Sequence, residues 1–278
     1  TMVGRILHSA FVYIMLIALS LFILMPIGWM LTAALKPSTA PVFTYPPEWF
    51  PTKYWEWETF RDALFEENFF IYTRNTVILV LLNVVGALFS CSMIAYAFAR
   101  LQFRGKNLLF TILVATMLLP GPVLLIPQFL LFYRIGWYNT YFPLFVPAFT
   151  GNAFFIFLLR QYMKTLPIEL DEAARIDGAS YWGIYWRIIL PLSVPALTVV
   201  AVFQFLATWN DFFGPLIYLD DPDKFTLALG LATMVRRVGT EWNEVMAANL
   251  VAVIPVLIVY FLAQNKLIGG IASVGLKG

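Results

Sequence analysis

Leu166-Pro167-Ile168-Glu169-Leu170-Asp171-Glu172-Ala173-Ala174-Arg175-Ile176-Asp177-Gly178-Ala179-Ser180 is a polar, strongly patterned stretch caught between two apolar runs, residues 141–159 and 192–210. Each run has about the 20 residues that a helix needs to cross a hydrocarbon core. The whole intervening segment, 160–191, is too polar to span and too regular for a slack linker. Glu169, Asp171 and Glu172 would set negative charge near the positive end of a helix, and Thr165 and Pro167 suit its first turn. Leu170, Ala173, Ala174 and Asp177 fall on one side at helical spacing. Gly178 suits a left-handed C-terminal cap. Ser180 can cap a second short helix, with Trp182, Tyr185 and Ile189 as its apolar stripe, Arg187 near its end and Leu190-Pro191 as its stop; Ser193 and Pro195 then start the next span. The expectation is a helix–turn–helix lying along one face of a membrane.

Working outward, four more apolar runs appear, at 11–35, 76–99, 108–133 and 245–263. The third is interrupted by Pro120, Gly121, Pro122 and Pro127. Only helices or closed barrels satisfy backbone groups in lipid, and the runs lack the alternation of barrel strands. The composition agrees: 61% of the 278 residues are hydrophobic and 12% charged, about half the charge of a soluble domain. The fold class is therefore all-α, a polytopic bundle of about six transmembrane helices in one permease-like domain, 1–278. The first run is too long for a signal-peptide core of roughly 7–15 residues and reads as a retained span.

With the N-terminus inside, ten Lys and Arg residues fall on inner segments and eight on longer outer ones, so inner density is higher. The expected topology is N-in and C-in, with 160–191 cytoplasmic. Residues 36–75 and 214–244 are then outer loops. The first is rich in Pro and Trp, with a short helix around 57–66. The second carries Asp220-Asp221-Pro222-Asp223 and an apolar piece, 225–234. Long connections of this kind are more often functional than idle. Asp211, Phe225 and Met234 are candidate contacts for a partner outside the membrane. No internal sequence repeat is visible.

Composition also excludes chemistry. A net charge of +2 gives no reason to expect nucleic acid. One cysteine, Cys91, and one histidine, His8, leave no intrachain disulfide and no cysteine- or histidine-based metal centre. No triad or paired carboxylates suggest catalysis in the membrane. A phosphate loop is missing too: ahead of Gly105-Lys106, Arg100 stands where the first glycine is needed. The absence of a charge well inside a span argues against proton or sodium coupling. Polar residues within the spans, Asn83, Asn152, Gln204, Thr208 and Asn249, are candidates for lining a route for sugars. The competing account is interhelical hydrogen bonding, worth about 0.6–2 kcal/mol each. Pro120 and Gly121 mark either a pathway kink or a packing kink. Arg100, Arg104 and Lys106 form a basic turn that sets topology or touches a partner.

Glu172-Ala173-Ala174, Gly178 four residues after Ala174, then Ile188 and Leu190-Pro191, resemble the EAA loop of binding-protein-dependent ABC importer permeases. The fuller string from Leu166-Pro167 through Ile176-Asp177-Gly178-Ala179 to Leu190-Pro191-Leu192 is most similar to the carbohydrate subfamily, the maltose-transporter type. So are Ala99-Arg100-Leu101-Gln102-Phe103-Arg104-Gly105-Lys106, Trp209-Asn210-Asp211 with Pro215-Leu216, and the tail Gly275-Leu276-Lys277-Gly278. The resemblance implies the shorter permease partner of an ATP-driven importer for a sugar or oligosaccharide, in a bacterial or archaeal inner membrane. It implies a second permease subunit, a cytoplasmic ATPase dimer holding the ATP and magnesium, and an extracytoplasmic solute-binding protein. The chain itself would bind no cofactor and catalyse nothing. Glu172, Ala173, Ala174, Asp177 and Gly178 would form the seat for the ATPase, and the 214–244 loop would probe the binding protein's cleft. A permease of the same superfamily for another substrate, or an ion-coupled carrier, is the alternative.

Overall fold

The computed structural model describes residues 2–37, 39–51, 54–65, 68–235 and 239–275, with side chains from His8 to Asn265. The charges at Lys53, Arg236, Arg237 and Lys277, the side chains of Arg5 and Lys266, and the last three residues of the Gly-rich tail lie outside the described residues, as does Glu66. All regular structure among the described residues is helical. Among the described residues, four helices are long and apolar enough to cross a membrane: His8–Ala34, Phe69–Arg100, Phe142–Thr165 and Trp242–Asn265. Two bent pairs, Lys106–Thr116 with Gly121–Arg134 and Tyr181–Leu192 with Val194–Trp209, bring the number to six if each pair is one crossing. The chain divides into two compact units, residues 1–70 with 231–254, and 71–230 with 255–278.

In the first unit, α1 (Met2–Ala34) exposes every described side chain from His8 to Gly28. Such all-round exposure of Phe, Leu and Ile suits a helix whose solvent is lipid. Burial begins at Ala33. There the Lys36 amine donates to the Val42 carbonyl at 3.2 Å and lies 5.1 Å from the centre of the Trp29 ring. Trp29 meets Trp49 edge-on. The expected short helix in the first outer segment is α2 (Glu58–Phe65).

The second unit is built on α3 (Phe69–Arg100), which begins seven residues before the apolar run at 76. Its polar start is satisfied inside the protein. Asn75 donates to the carbonyls of Asp223 and Phe225 at 2.8 and 3.0 Å, and the Thr76 hydroxyl accepts the Leu227 N–H at 2.7 Å. Hydropathy alone cannot see such long-range partners. The third run divides into α4 (Lys106–Thr116) and α5 (Gly121–Arg134), whose axes differ by 97°. Pro120 is extended and Pro122 opens α5, where no backbone N–H is required. This is a full corner rather than a kink. Neither helix has a fully buried residue, although Phe110 and Leu113 of α4 lie partly buried against the core.

The fourth run comprises α6 (Phe142–Phe145), a 3₁₀ turn at Val146–Thr150 and α7 (Ala153–Thr165). Cys91 is fully buried, and its Sγ accepts the Asn152 N–H at 3.2 Å. Asn152 itself caps α7, its Oδ1 accepting the N–H groups of Phe154 and Phe155 at 3.0 and 3.2 Å. That is the signature of an Asn just before an apolar helical run, and it engages the side chain that sequence reading offered to a pathway.

Candidate functional site

Two places in the second unit concentrate polar groups. The first is the hairpin after α7. Leu166 is extended, as the residue before a proline prefers, and α8 (Glu169–Ile176) follows. Thr165 and Pro167 do not form its first turn. Thr165 closes α7 with its hydroxyl on the Tyr162 carbonyl at 2.8 Å, and Pro167 sits in the link. The three acidic residues do occupy the first turn. Gly178 has φ +84°, its N–H donates to Arg175 O at 3.0 Å, and the Ala179 N–H donates to Ala174 O at 2.9 Å. Those two bonds on a left-handed residue are the Schellman closure.

The inward face of α8 differs from the expected stripe. Asp171 and Ala174 are buried, whereas Leu170, Ala173 and Asp177 are exposed. Glu169, Glu172, Ala173 and Ile176, at i, i+3, i+4 and i+7, share the exposed face, with Ile176 86% exposed. Ile176 thus stands as a bare aliphatic beside two exposed carboxylates.

The cause of this orientation is Arg100, the last residue of α3. In sequence it stands with Arg104 and Lys106 in a basic turn, but its side chain is only 4% exposed. Its Nη2 donates to Leu166 O at 2.9 Å, and its Nε lies 3.7 Å from Asp171 Oδ2. Burial pushes the Asp171 carboxyl above its usual range; Arg100 pulls it back, and the neighbouring Glu172 adds to the rise.

The second limb of the hairpin starts at α9 (Tyr181–Ile184), capped by Ser180 Oγ accepting the Gly183 N–H at 3.2 Å. A π-helical turn, Tyr185–Ile189, carries it into α10 (Leu190–Leu192) and α11 (Val194–Trp209). The buried face differs from the expected stripe: Ile184, Tyr185 and Ile189 are buried, while Trp182, ahead of the π turn, is exposed. Tyr185 Oη lies 2.7 Å from Ser92 Oγ, and the Tyr96 hydroxyl donates to Tyr181 O at 3.1 Å.

The second place is a cavity of about 230 Å³ in the half of α3 away from the hairpin. Asn83, Gln204, Thr208, Asp211 and Thr226 supply its polar lining, with Leu79, Leu144, Ala207 and Pro215 between them. Asn83 Nδ2 is bound by the carbonyls of Leu79 and Leu144, and Gln204 Nε2 donates to Thr208 Oγ1 at 3.2 Å. Thr226 is 2% exposed and its hydroxyl has no hydrogen-bond partner among the described residues. Asp211 Oδ1 accepts the Gly214 N–H at 3.0 Å, opening α12 (Phe213–Tyr218). Burial raises the Asp211 carboxyl, offset by the N–H groups of Gly214 and Phe213.

Of the residues singled out in sequence, the cavity therefore gathers Asn83, Gln204, Thr208 and Asp211. Pro120 and Gly121 are exposed on the α4–α5 corner. Asn249, in the first unit, donates to Val245 O within α14 (Trp242–Gly275). Phe225 is half-buried beside Tyr72. Met234, at the end of α13 (Leu227–Met234), is buried. Burial withholds its side chain from an outside partner. Sequence reading missed Asn139. Left-handed at φ 56°, it accepts the N–H groups of Asp220 and Asp221 on Oδ1, each at 3.2 Å, and its carbonyl accepts the Lys224 amine. Its preference for the left-handed region is the only signal that could have drawn attention to it.

A helical bundle with a capped polar hairpin between two spans, and a polar cavity farther along the same helix, is the build of a membrane transport component. The chain belongs to the family of binding-protein-dependent transport system inner membrane components, whose sequence profile matches residues 89–271. It is similar to the arabinooligosaccharides transport system permease protein AraQ of Halalkalibacterium halodurans, 36% identical over 73% of each chain. It is also similar to the maltose/maltodextrin transport system permease protein MalG of Yersinia pestis, 29% identical over 99% of this chain and 94% of that one. A crystal structure of a bacterial ABC transporter that imports the acidic polysaccharide alginate shares the fold, with a TM-score of 0.83 at 24% identity over 95% and 98% of the two chains.

Proposed function

We propose that this chain is the permease subunit of an ATP-driven importer for a sugar or oligosaccharide. In that complex it pairs with a second permease subunit, a cytoplasmic ATPase dimer and an extracytoplasmic solute-binding protein. The observation that carries the proposal is the hairpin. One face of α8 is fixed to α3, while Glu169, Glu172, Ala173 and Ile176 stand free for another chain. Glu172 supplies charge to that contact, Ala173 allows close approach, Ala174 packs behind it, and Asp177 and Gly178 close the turn. ATP and its magnesium belong to the ATPase chains, and this chain hydrolyses nothing. The hairpin then faces the cytosol, with the N- and C-termini on the same side. The names of the sugar-transporting relatives support the substrate class.

The direct test is purification of the tagged chain with the products of its neighbouring genes, followed by uptake of labelled maltodextrins and arabino-oligosaccharides into proteoliposomes. ATP-dependent uptake that needs the binding protein is the expected result. A purified assembly containing no ATPase would overturn the reading.

The cavity is the part of this chain suited to touch the passing sugar, since hydroxyls are recognised by amide, carboxylate and hydroxyl groups. Gln204→Leu and Thr226→Val each remove one such group. A hydrogen bond of this kind contributes about 0.5–1.5 kcal/mol, so the KM for uptake is expected to rise about two- to tenfold. ATPase association is expected to be unchanged. Unaltered KM in both variants would remove the cavity from the route.

A further inference from the structure

We propose that Arg100 and Asp171 are positioning residues that make the inner end of α3 travel with α8, so that displacement of the hairpin becomes displacement of the span. This rests on the reading of α8 as the ATPase seat and adds the link through which the seat acts.

The two groups are nearly sealed from solvent, at 4% and 11% side-chain exposure. Yet their contact is a single 3.7 Å approach, and Arg100 Nε and Asp171 Oδ1 have no hydrogen-bond partner among the described residues. Burying two charges for so thin a contact is a poor route to stability, because the desolvation cost rivals the attraction and an apolar pair of similar size packs at least as well. What the pair supplies is position. It is the only polar side-chain link between α8 and α3 among the described residues. The same guanidinium also holds the Leu166 carbonyl just ahead of α8.

One and two turns back along α3, at i−4 and i−8 from Arg100, Tyr96 and Ser92 hold the other limb through Tyr181 and Tyr185. A single stripe of α3 therefore grips both limbs on either side of the Gly178 turn. The hairpin cannot slide past α3 without breaking a buried ion pair.

The test uses the complete importer in proteoliposomes, reading ATPase retention, ATP hydrolysis and sugar molecules moved per ATP. Asp171→Asn, which keeps a polar acceptor toward Arg100 and so the facing of α8, is expected to retain the ATPase and its hydrolysis while transport per ATP falls about tenfold, within the usual range of coupling energies. Asp171→Glu, which keeps the charge, is expected to hold the ratio within about twofold. The double variant Arg100→Met with Asp171→Leu should recover expression and thermal stability but not the ratio.

A wild-type ratio in Asp171→Asn, or in the apolar double variant, overturns the proposal. Loss of the ATPase from Asp171→Asn also overturns it, since the pair would then serve only to build the seat. The seat is tested separately by Glu172→Lys, on the exposed face. If that change leaves association and uptake intact, the seat itself is wrong; if it abolishes them while Asp171→Asn is silent, only the link fails.

Discussion

Glu172→Lys is expected to abolish sugar uptake while the chain still inserts and folds. Glu172 is exposed and in the first turn of α8, so its replacement disturbs no packing. Lysine there loses the favourable interaction of a carboxylate with the helix's positive end, about 0.3–1 kcal/mol, a tolerable cost to the hairpin. The larger effect falls on the partner. Reversing a charge inside an interface costs about 2–5 kcal/mol, or about 30- to 5,000-fold in affinity. Membrane insertion by fractionation, ATPase retention on an affinity tag and uptake by whole cells together decide it. Survival of both uptake and sugar-stimulated hydrolysis would show that α8 is no seat for a motor.

Gly178→Pro is the second change of this size, and it acts on shape. Gly178 sits at φ +84° with its N–H on Arg175 O. Proline fixes φ near −65° and has no N–H, a combined cost of about 3 kcal/mol or more. The Schellman closure opens, and α8 and α9 lose their relative direction. The space around the α-carbon is empty, so Gly178→Ala pays only the left-handed strain, about 1–2 kcal/mol. The ordering expected in uptake is Gly, then Ala, then Pro, with the Pro variant inactive. Hydrogen exchange across 166–184 should show the turn unprotected in the same order. Equal uptake by the Ala and Pro variants would mean that the turn's geometry is irrelevant to transport.

The hairpin was legible in sequence because its signals are local. An acidic first turn, a glycine at the point of reversal and a serine opening the second limb each state a backbone requirement within a few residues. The direction in which α8 faces was not legible. Asp171 and Glu172 are chemically equivalent in the sequence, and one helical step of about 100° separates them. Arg100, on another helix, decides which turns inward. The same holds for Asn75 and Thr76, polar residues that extend α3 because their partners lie on a distant loop. Asn152 carries the local signal of a cap, an Asn just ahead of an apolar helical run, and that is the bond its side chain makes. The Pro120–Pro122 interruption announced a break, but a corner of 97° depends on what stands beside it in space.

The π turn at Tyr185–Ile189 works as a phase adjuster. One surplus residue rotates the stretch up to Leu192 by roughly a quarter turn relative to an unbroken α-helix, before α11 departs beyond Ser193. The direction from which α11 sets out toward Gln204 and Thr208 is thus set by two devices in series, the π turn and the 76° bend at Ser193. A length change of one residue in the π turn would alter the approach to that bend with no alteration to any side chain on α11.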